Sequence, residues 1–60
     1  MMVPVVFKAA ESWSVTYRGV VYDDARKIDG IWYYRDPTSR AILRFLFQDG
    51  VVPLQANTVR

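Results

Sequence analysis

The 60-residue chain contains no cysteine and no histidine. Disulfide bonds are therefore impossible, and a zinc site lacks both of the ligand types that zinc prefers. Hydrolytic triads need a base, usually histidine, and no serine here has a visible activator. The three glycines are isolated at positions 19, 30 and 50, which excludes a glycine-rich phosphate loop. We therefore expect no enzyme activity, no bound metal and no cofactor.

A long apolar run is also missing. No stretch approaches the ~20 apolar residues that are needed to span a bilayer. The N-terminal segment has no basic region ahead of its apolar run, as a signal peptide would have. We therefore expect a protein without a membrane segment that is located in the cytoplasm, and the lack of cysteine is compatible with that compartment.

The net charge is small as well. Eight basic and six acidic residues give a net charge of +2, which is too small to drive nucleic-acid binding by itself. Asp23 and Asp24 are the one adjacent carboxylate pair, and such pairs begin some divalent-ion or general-acid sites. A solvated polar loop is the favoured interpretation of residues 23–27.

Aromatic and aliphatic side chains are what the sequence does have. Apolar residues make up 52% of the chain and aromatic residues 15%. A domain of this size buries only roughly 60% of the surface that its unfolded chain exposes. We therefore expect several rings to lie on the surface, where they would contact a partner. The nine rings are Phe7, Trp13, Tyr17, Tyr22, Trp32, Tyr33, Tyr34, Phe45 and Phe47.

Short runs rich in β-branched and aromatic residues predict a mainly β fold. The runs are residues 3–9, 13–22, 31–35, 40–47 and 51–54, and Asp29-Gly30 between the second and third is a strong hairpin signal. Gly19 predicts a bulge or bend inside the second run. We expect a small antiparallel meander, or an SH3-like or OB-like barrel, of about five short strands. Residues 1–54 would form this single β domain, and residues 55–60 would be a tail.

Residues 38–48 admit a second interpretation, which makes the fold α+β. Asp36 would be the N-cap of a helix, Pro37 its first residue, and Gly50 would follow its end. Leu43 and Phe47 would then lie off the apolar face of that helix, and a domain this small has little with which to cover them. The strand interpretation is therefore favoured.

Arginine alternates with aromatic residues in several runs. In a strand over residues 31–35, Trp32 and Tyr34 share one face, and they stand outside if the alternate residues face the core. Beside Arg18 and Arg44 on neighbouring strands, they would have the composition of an interaction hot spot. We therefore predict Trp32, Tyr34, Arg18 and Arg44 as a binding surface. The alternative is that both faces of this strand are buried.

The predicted function is a small non-catalytic protein-interaction module, either self-associating or acting as an adaptor or inhibitor of a larger partner. A homodimer is expected, because dimerisation enlarges a small core. One alternative is a nucleic-acid-binding small β-barrel, with the same rings stacked on bases. Another alternative is a structural subunit of a larger assembly.

The segment Thr16-Tyr17-Arg18-Gly19, followed by Tyr22, resembles the opening of the TYRG-type proteins, small cyanobacterial proteins of unknown function. The resemblance is confined to residues 15–22. Those proteins often carry a second Tyr-Arg-Gly, and residues 34–36 of this chain depart from it at the glycine. The resemblance implies no activity, substrate or catalytic residue, and it favours a cyanobacterial or cyanophage source.

Overall fold

One short helix precedes five strands in the computed structural model, which describes residues 3–57. A single turn of 3-10 helix precedes the last strand. The predicted mainly β fold is confirmed. The elements are α1 (Val3–Ala9), β1 (Trp13–Tyr17), β2 (Val20–Ile28), β3 (Ile31–Arg35), β4 (Ile42–Arg44), the 3-10 turn (Gln48–Gly50) and β5 (Val51–Ala56).

The strands form one open antiparallel sheet in the order β4-β3-β2-β1-β5. Strands β1 to β4 follow one another as a meander. The chain then passes through residues 45–50 from the β4 edge to the opposite edge, where β5 pairs with β1. This connection lies over one face of the sheet, which we call the inner face, and α1 packs on the other, outer face.

The first run is a helix, and the strand predicted for it is wrong. Pro4 lies in the first turn of α1. Backbone N–H groups in a first turn have no acceptor within the helix, so the N–H that proline lacks costs no hydrogen bond there. Phe7 is the one buried residue of the helix, whereas a strand would bury alternate residues. Lys8 lies in the last turn, where a cation interacts favourably with the helix dipole. Packing of Phe7 therefore outweighs the β propensity of the valines.

The second run is two strands joined by a tight turn rather than one strand with a bulge at Gly19. Arg18 and Gly19 have φ values of 53° and 80°, as a two-residue type I′ hairpin requires. The predicted polar loop at residues 23–27 is wrong as well, because these residues belong to β2. Asp24 and Arg26 form an ion pair on the outer face, and Lys27 pairs with Trp32 on the inner face.

The predicted hairpin at Asp29-Gly30 is confirmed. These residues have φ values of 52° and 80°, and Ile28 faces Ile31 across the turn. The helix considered for residues 38–48 is wrong, because residues 42–44 pair with β3. Strand β5 includes residues 55 and 56 of the predicted tail, and residues 58–60 lie outside the described residues.

Phe45 occupies the centre of the inner face. Its ring centroid lies 4.5 Å from that of Tyr34, 4.8 Å from that of Tyr17 and 5.1 Å from that of Tyr22. Tilted and edge-on pairs at these distances stabilise beyond the area that they bury. The buried cluster around this ring contains Val15, Ala25, Trp32, Phe45 and Val51, contributed by β1, β2, β3, the residue after β4, and β5.

The side chain of Gln48 replaces a missing strand partner. Strand β4 ends at Arg44, and although the Phe45 N–H still donates to the Trp32 carbonyl at 3.2 Å, the Trp32 N–H and the Phe45 carbonyl do not pair with each other as they would in a continued ladder. The Trp32 N–H donates to Oε1 of Gln48, and Nε2 of Gln48 donates to the carbonyls of Trp32 and Phe45 at 3.1 and 2.8 Å. One primary amide therefore satisfies backbone groups that the short β4 leaves unpaired.

The turn at Asp29-Gly30 gives a first prediction. Gly30→Ala should lower the free energy of unfolding by about 1–2 kcal/mol, because an L side chain in the left-handed region strains the backbone. A Cβ at this position would meet no atom within 4 Å, so the loss isolates backbone strain. Urea denaturation measures it.

Gly50→Ala is the matched control for that variant. Gly50 does not need a positive φ, and its Cβ would lie 3.5 Å from Cε1 of Tyr17, an ordinary contact. We expect a change of at most about 0.5 kcal/mol there. Equal losses in the two variants would contradict the role assigned to the turn.

The amide of Gln48 gives a second prediction. Gln48→Ala should cost about 2–3 kcal/mol of unfolding free energy, because it removes the partner of the Trp32 N–H and of the Phe45 carbonyl, both partly buried. Gln48→Glu should also destabilise at neutral pH, since a carboxylate would face two carbonyl oxygens, and it should recover in part once protonated. Urea titrations at about pH 7 and about pH 4 test both. A loss no larger than that of Gln55→Ala, an exposed control on β5, would contradict the assignment.

Candidate functional site

Trp32 and Tyr34 face inward, so the prediction that they stand outside is wrong. Trp32 is only 7% exposed, and its ring meets that of Trp13 edge-on at 6.3 Å. Tyr34 is half-buried against the core cluster and faces Ala25 across β2 and β3. The small Ala25 side chain leaves room for the rings, and this pairing decides which face of β3 is inner.

Burial raises the pKa of the Tyr34 phenol above its usual value of 10.0. The neighbouring Tyr22, Asp36 and Tyr17 raise this pKa further through charge repulsion of the phenolate. The phenol is therefore neutral across the physiological range and acts as a packing group.

The two predicted arginines are exposed but lie on different parts of the surface. Arg18 is at the tip of the β1–β2 hairpin, and its Cζ lies 5.5 Å from the centroid of the Phe47 ring. Arg44 is on the edge strand β4, opposite Tyr33 of β3, so its side chain belongs to the outer face. Of the four predicted residues, only Arg18 therefore stands beside an exposed aromatic ring.

That ring belongs to a surface that the sequence did not reveal, formed by Arg18, Leu46 and Phe47 and called here the Phe47 surface. Leu46 is 73% exposed and Phe47 51% exposed. The Phe47 N–H donates to the Tyr17 hydroxyl at 3.0 Å, which fixes the loop to the end of β1. One signal was available: Phe47 fell off the apolar face in the helical interpretation of this segment.

On the outer face, two arginines and one carboxylate hold α1 against the sheet. Asp24 accepts from Arg26 at 2.9 Å and from Arg35 at 3.4 Å. The guanidinium of Arg26 lies 4.5 Å and that of Arg35 5.2 Å from the centroid of the buried Phe7 ring. Nη1 of Arg26 also donates to the carbonyls of Phe7 and Ala10 at the end of the helix, at 2.6 and 3.3 Å.

This arrangement weighs against a metal or acid–base site at Asp23 and Asp24. A β-bulge interrupts the pairing of β1 and β2 opposite Ser14, so the alternation of faces breaks at Asp23 and Asp24. Asp24 already accepts hydrogen bonds from two guanidinium groups. Within residues 3–57, no group of three or more candidate ligands comes together to hold a metal ion.

Comparison with protein-family models, with curated proteins and with solved structures finds no match to this chain. The one α-helix of residues 3–57 has seven residues, and none of the helices described there could cross a bilayer.

The raised pKa of Tyr34 gives a third prediction. The folded protein holds this phenol proton more tightly than the unfolded chain does, so the contribution to stability is complete below about pH 10 and is lost as the pH rises through the folded pKa. Tyr34→Phe should reduce the decline of stability between about pH 9 and about pH 11. Urea midpoints across this range measure it, and identical pH dependence in both proteins would contradict the assignment.

Proposed function

We propose that this chain is a small non-catalytic protein-interaction module that associates with a second copy of itself through the Phe47 surface. The observation that carries the proposal is the exposure of Leu46 and Phe47 side by side next to the Arg18 guanidinium. Aromatic residues and arginine are enriched where protein interfaces derive their binding energy.

The small core supports the proposal. Within residues 3–57, nine large apolar side chains are exposed, against six apolar residues in the core. A domain with so little buried surface gains stability when a partner covers part of the remainder. The exposed set is Val5, Val6, Val20, Val21, Leu43, Leu46, Phe47, Val52 and Leu54.

The Phe47 surface is held in place before any partner arrives. The hydrogen bond from the Phe47 N–H to Tyr17 and the 3-10 turn that begins at Gln48 fix the loop on both sides of the ring. A side chain that is already positioned loses less conformational entropy when it binds. The guanidinium of Arg18 beside the ring adds a cation that can meet a carbonyl or carboxylate of the partner.

The available surface is large enough for a dimer. A standard interface buries about 800 Å² on each partner, and the accessible surface of the chain is 4390 Å². Such an interface would cover about one fifth of it. The contact would therefore extend beyond Leu46 and Phe47 onto neighbouring apolar side chains.

The alternatives have less support. The rings expected to stack on bases, Trp32 and Tyr34, are turned inward, and the net charge of +2 is small for a phosphate-binding surface. The pairing of Asp24 with Arg26 and Arg35 and the lack of histidine and cysteine support a non-catalytic role. The cytoplasm, as a reducing compartment, is part of the proposal because the chain has no cysteine.

Removal of the Phe47 ring tests the proposal. We expect the wild-type chain to shift from monomer to dimer as its concentration rises from about 10 µM to about 1 mM, a range that corresponds to a weak homodimer. Phe47→Ser removes the ring from both copies and should weaken the dimer by about a thousandfold, since each hot-spot side chain is worth ~2 kcal/mol. Sedimentation velocity measures both.

Val5→Ser is the matched control, since it removes a side chain of similar exposure from α1, and we expect it to dimerise as the wild type does. Urea denaturation should give Phe47→Ser the stability of the wild type within about 0.5 kcal/mol, because the ring is exposed. A wild-type chain that stays monomeric, or a Phe47→Ser variant that dimerises equally well, would contradict the proposal.

A further inference from the structure

We infer that the cavity between the start of α1 and the outer face of β3 and β4 binds a small organic anion, with its acid group on Arg35 and Arg40 and its apolar part on Val3, Pro4 and Ile42. The cavity has a volume of about 410 Å³, within the range of about 300–1,000 Å³ typical of small-molecule sites. The inference is independent of the Phe47 surface, because none of that surface's residues lines this cavity.

The sheet register and the helix together form the cavity. Tyr33 and Arg35 alternate along β3, and Ile42 pairs directly with Arg35, so these three side chains share the outer face. The first residues of α1, Val3 and Pro4, form the facing wall. The contacts of Arg26 and Arg35 with Phe7 fix the helix in this position, so the apolar wall is present before a ligand binds.

The two arginines that line the cavity are linked to each other. Nη1 of Arg35 donates to the carbonyl of Arg40 at 3.2 Å, and the Arg40 N–H donates to the Asp36 carbonyl at 2.7 Å. Arg40 has a φ of 66°, a conformation unfavourable for a side chain of this size. The loop that presents Arg40 is therefore held by hydrogen bonds rather than by the preference of the residue itself.

The charge at the cavity is positive and only partly compensated. Asp24 is the carboxylate nearest to Arg35, at 3.4 Å, and it is shared with Arg26. The other carboxylate of this region, Asp36, accepts from the N–H and hydroxyl of Ser39 at 2.8 Å each. Within residues 3–57, the Arg40 guanidinium makes no hydrogen bond or ion pair. One guanidinium and part of a second are thus available to an anion.

These features define the chemical class of the ligand. Guanidinium groups match the geometry of both carboxylate and phosphate oxygens, and Tyr33 also lines the cavity. The walls of Val3, Pro4 and Ile42 suit a short alkyl chain or a ring. The ligand is therefore a carboxylate or phosphate monoester with a compact apolar part.

The test uses four probes and the full chain labelled with ¹⁵N. Hexanoate and hexyl phosphate carry the apolar chain with an acid group, hexanol carries the chain alone, and inorganic phosphate carries the charge alone. We expect saturable shifts of the amide signals of Tyr33, Arg35 and Ile42 with one or both acids. Hexanol and inorganic phosphate should bind at least about tenfold more weakly, as loss of one charged hydrogen bond or of the apolar contact predicts. Whichever of the two acids binds more tightly identifies carboxylate or phosphate as the preferred group.

Variants then locate the site. Arg40→Gln should lower the affinity for the tighter-binding acid probe by about tenfold. Lys8→Gln, which removes one positive charge from the far end of α1, should leave that affinity unchanged. Ala41→Trp should abolish binding by filling the cavity, because Ala41 lines it and is exposed. This variant retains both arginines and so tests the site even if Arg40→Gln perturbs the loop.

Three results would overturn the inference: equal affinity for hexanol and the acids, equal losses in Arg40→Gln and Lys8→Gln, or unchanged binding in a folded Ala41→Trp variant. The absence of saturable shifts with either acid up to about 20 mM would overturn it too, since even a small ligand with one ion pair and an apolar contact should bind in the millimolar range.

Discussion

The rest of the structure depends on the packing of the Phe45 ring against three tyrosines. A single five-stranded sheet leaves one face without a second layer, and Phe45 with the following residues is what covers it. The segment can cross that face only because β4 ends early. Gln48 then supplies the hydrogen bonds that the shortened strand leaves unmade, so core packing and the short β4 are parts of one arrangement.

The outer face is covered differently, by a helix of seven residues attached through Phe7 and two arginines. Guanidinium groups cover the ring and bind the carbonyls at the helix end, so ionic and apolar contacts act together there. Neither cover is large. The exposed apolar side chains and the cavity beside α1 follow from this shortage of covering structure, and the proposed interactions use the surfaces that it leaves open.

Local patterns of the sequence predicted the sheet but not which face of β3 is inner. The hairpin at Asp29-Gly30 follows from glycine's tolerance of positive φ, and residues 42–44 are extended as their composition favours. The inward orientation of Trp32 was missed because both faces of β3 carry aromatic residues, so alternation alone does not distinguish them. The Phe47 surface was missed because an apolar residue in a sequence is expected in the core unless something else already fills that place, as Phe45 does here.

The sequence by itself determined that this chain is a mainly β domain without disulfides, since composition, strand propensity and turn residues act locally. Only the tertiary structure decided that residues 3–9 are helical and which rings are exposed. The physical reason is that helix and strand differ little in free energy for such a short apolar segment, and the place available to Phe7 under two arginines selects between them. Exposure is likewise decided by competition among distant side chains for one small core.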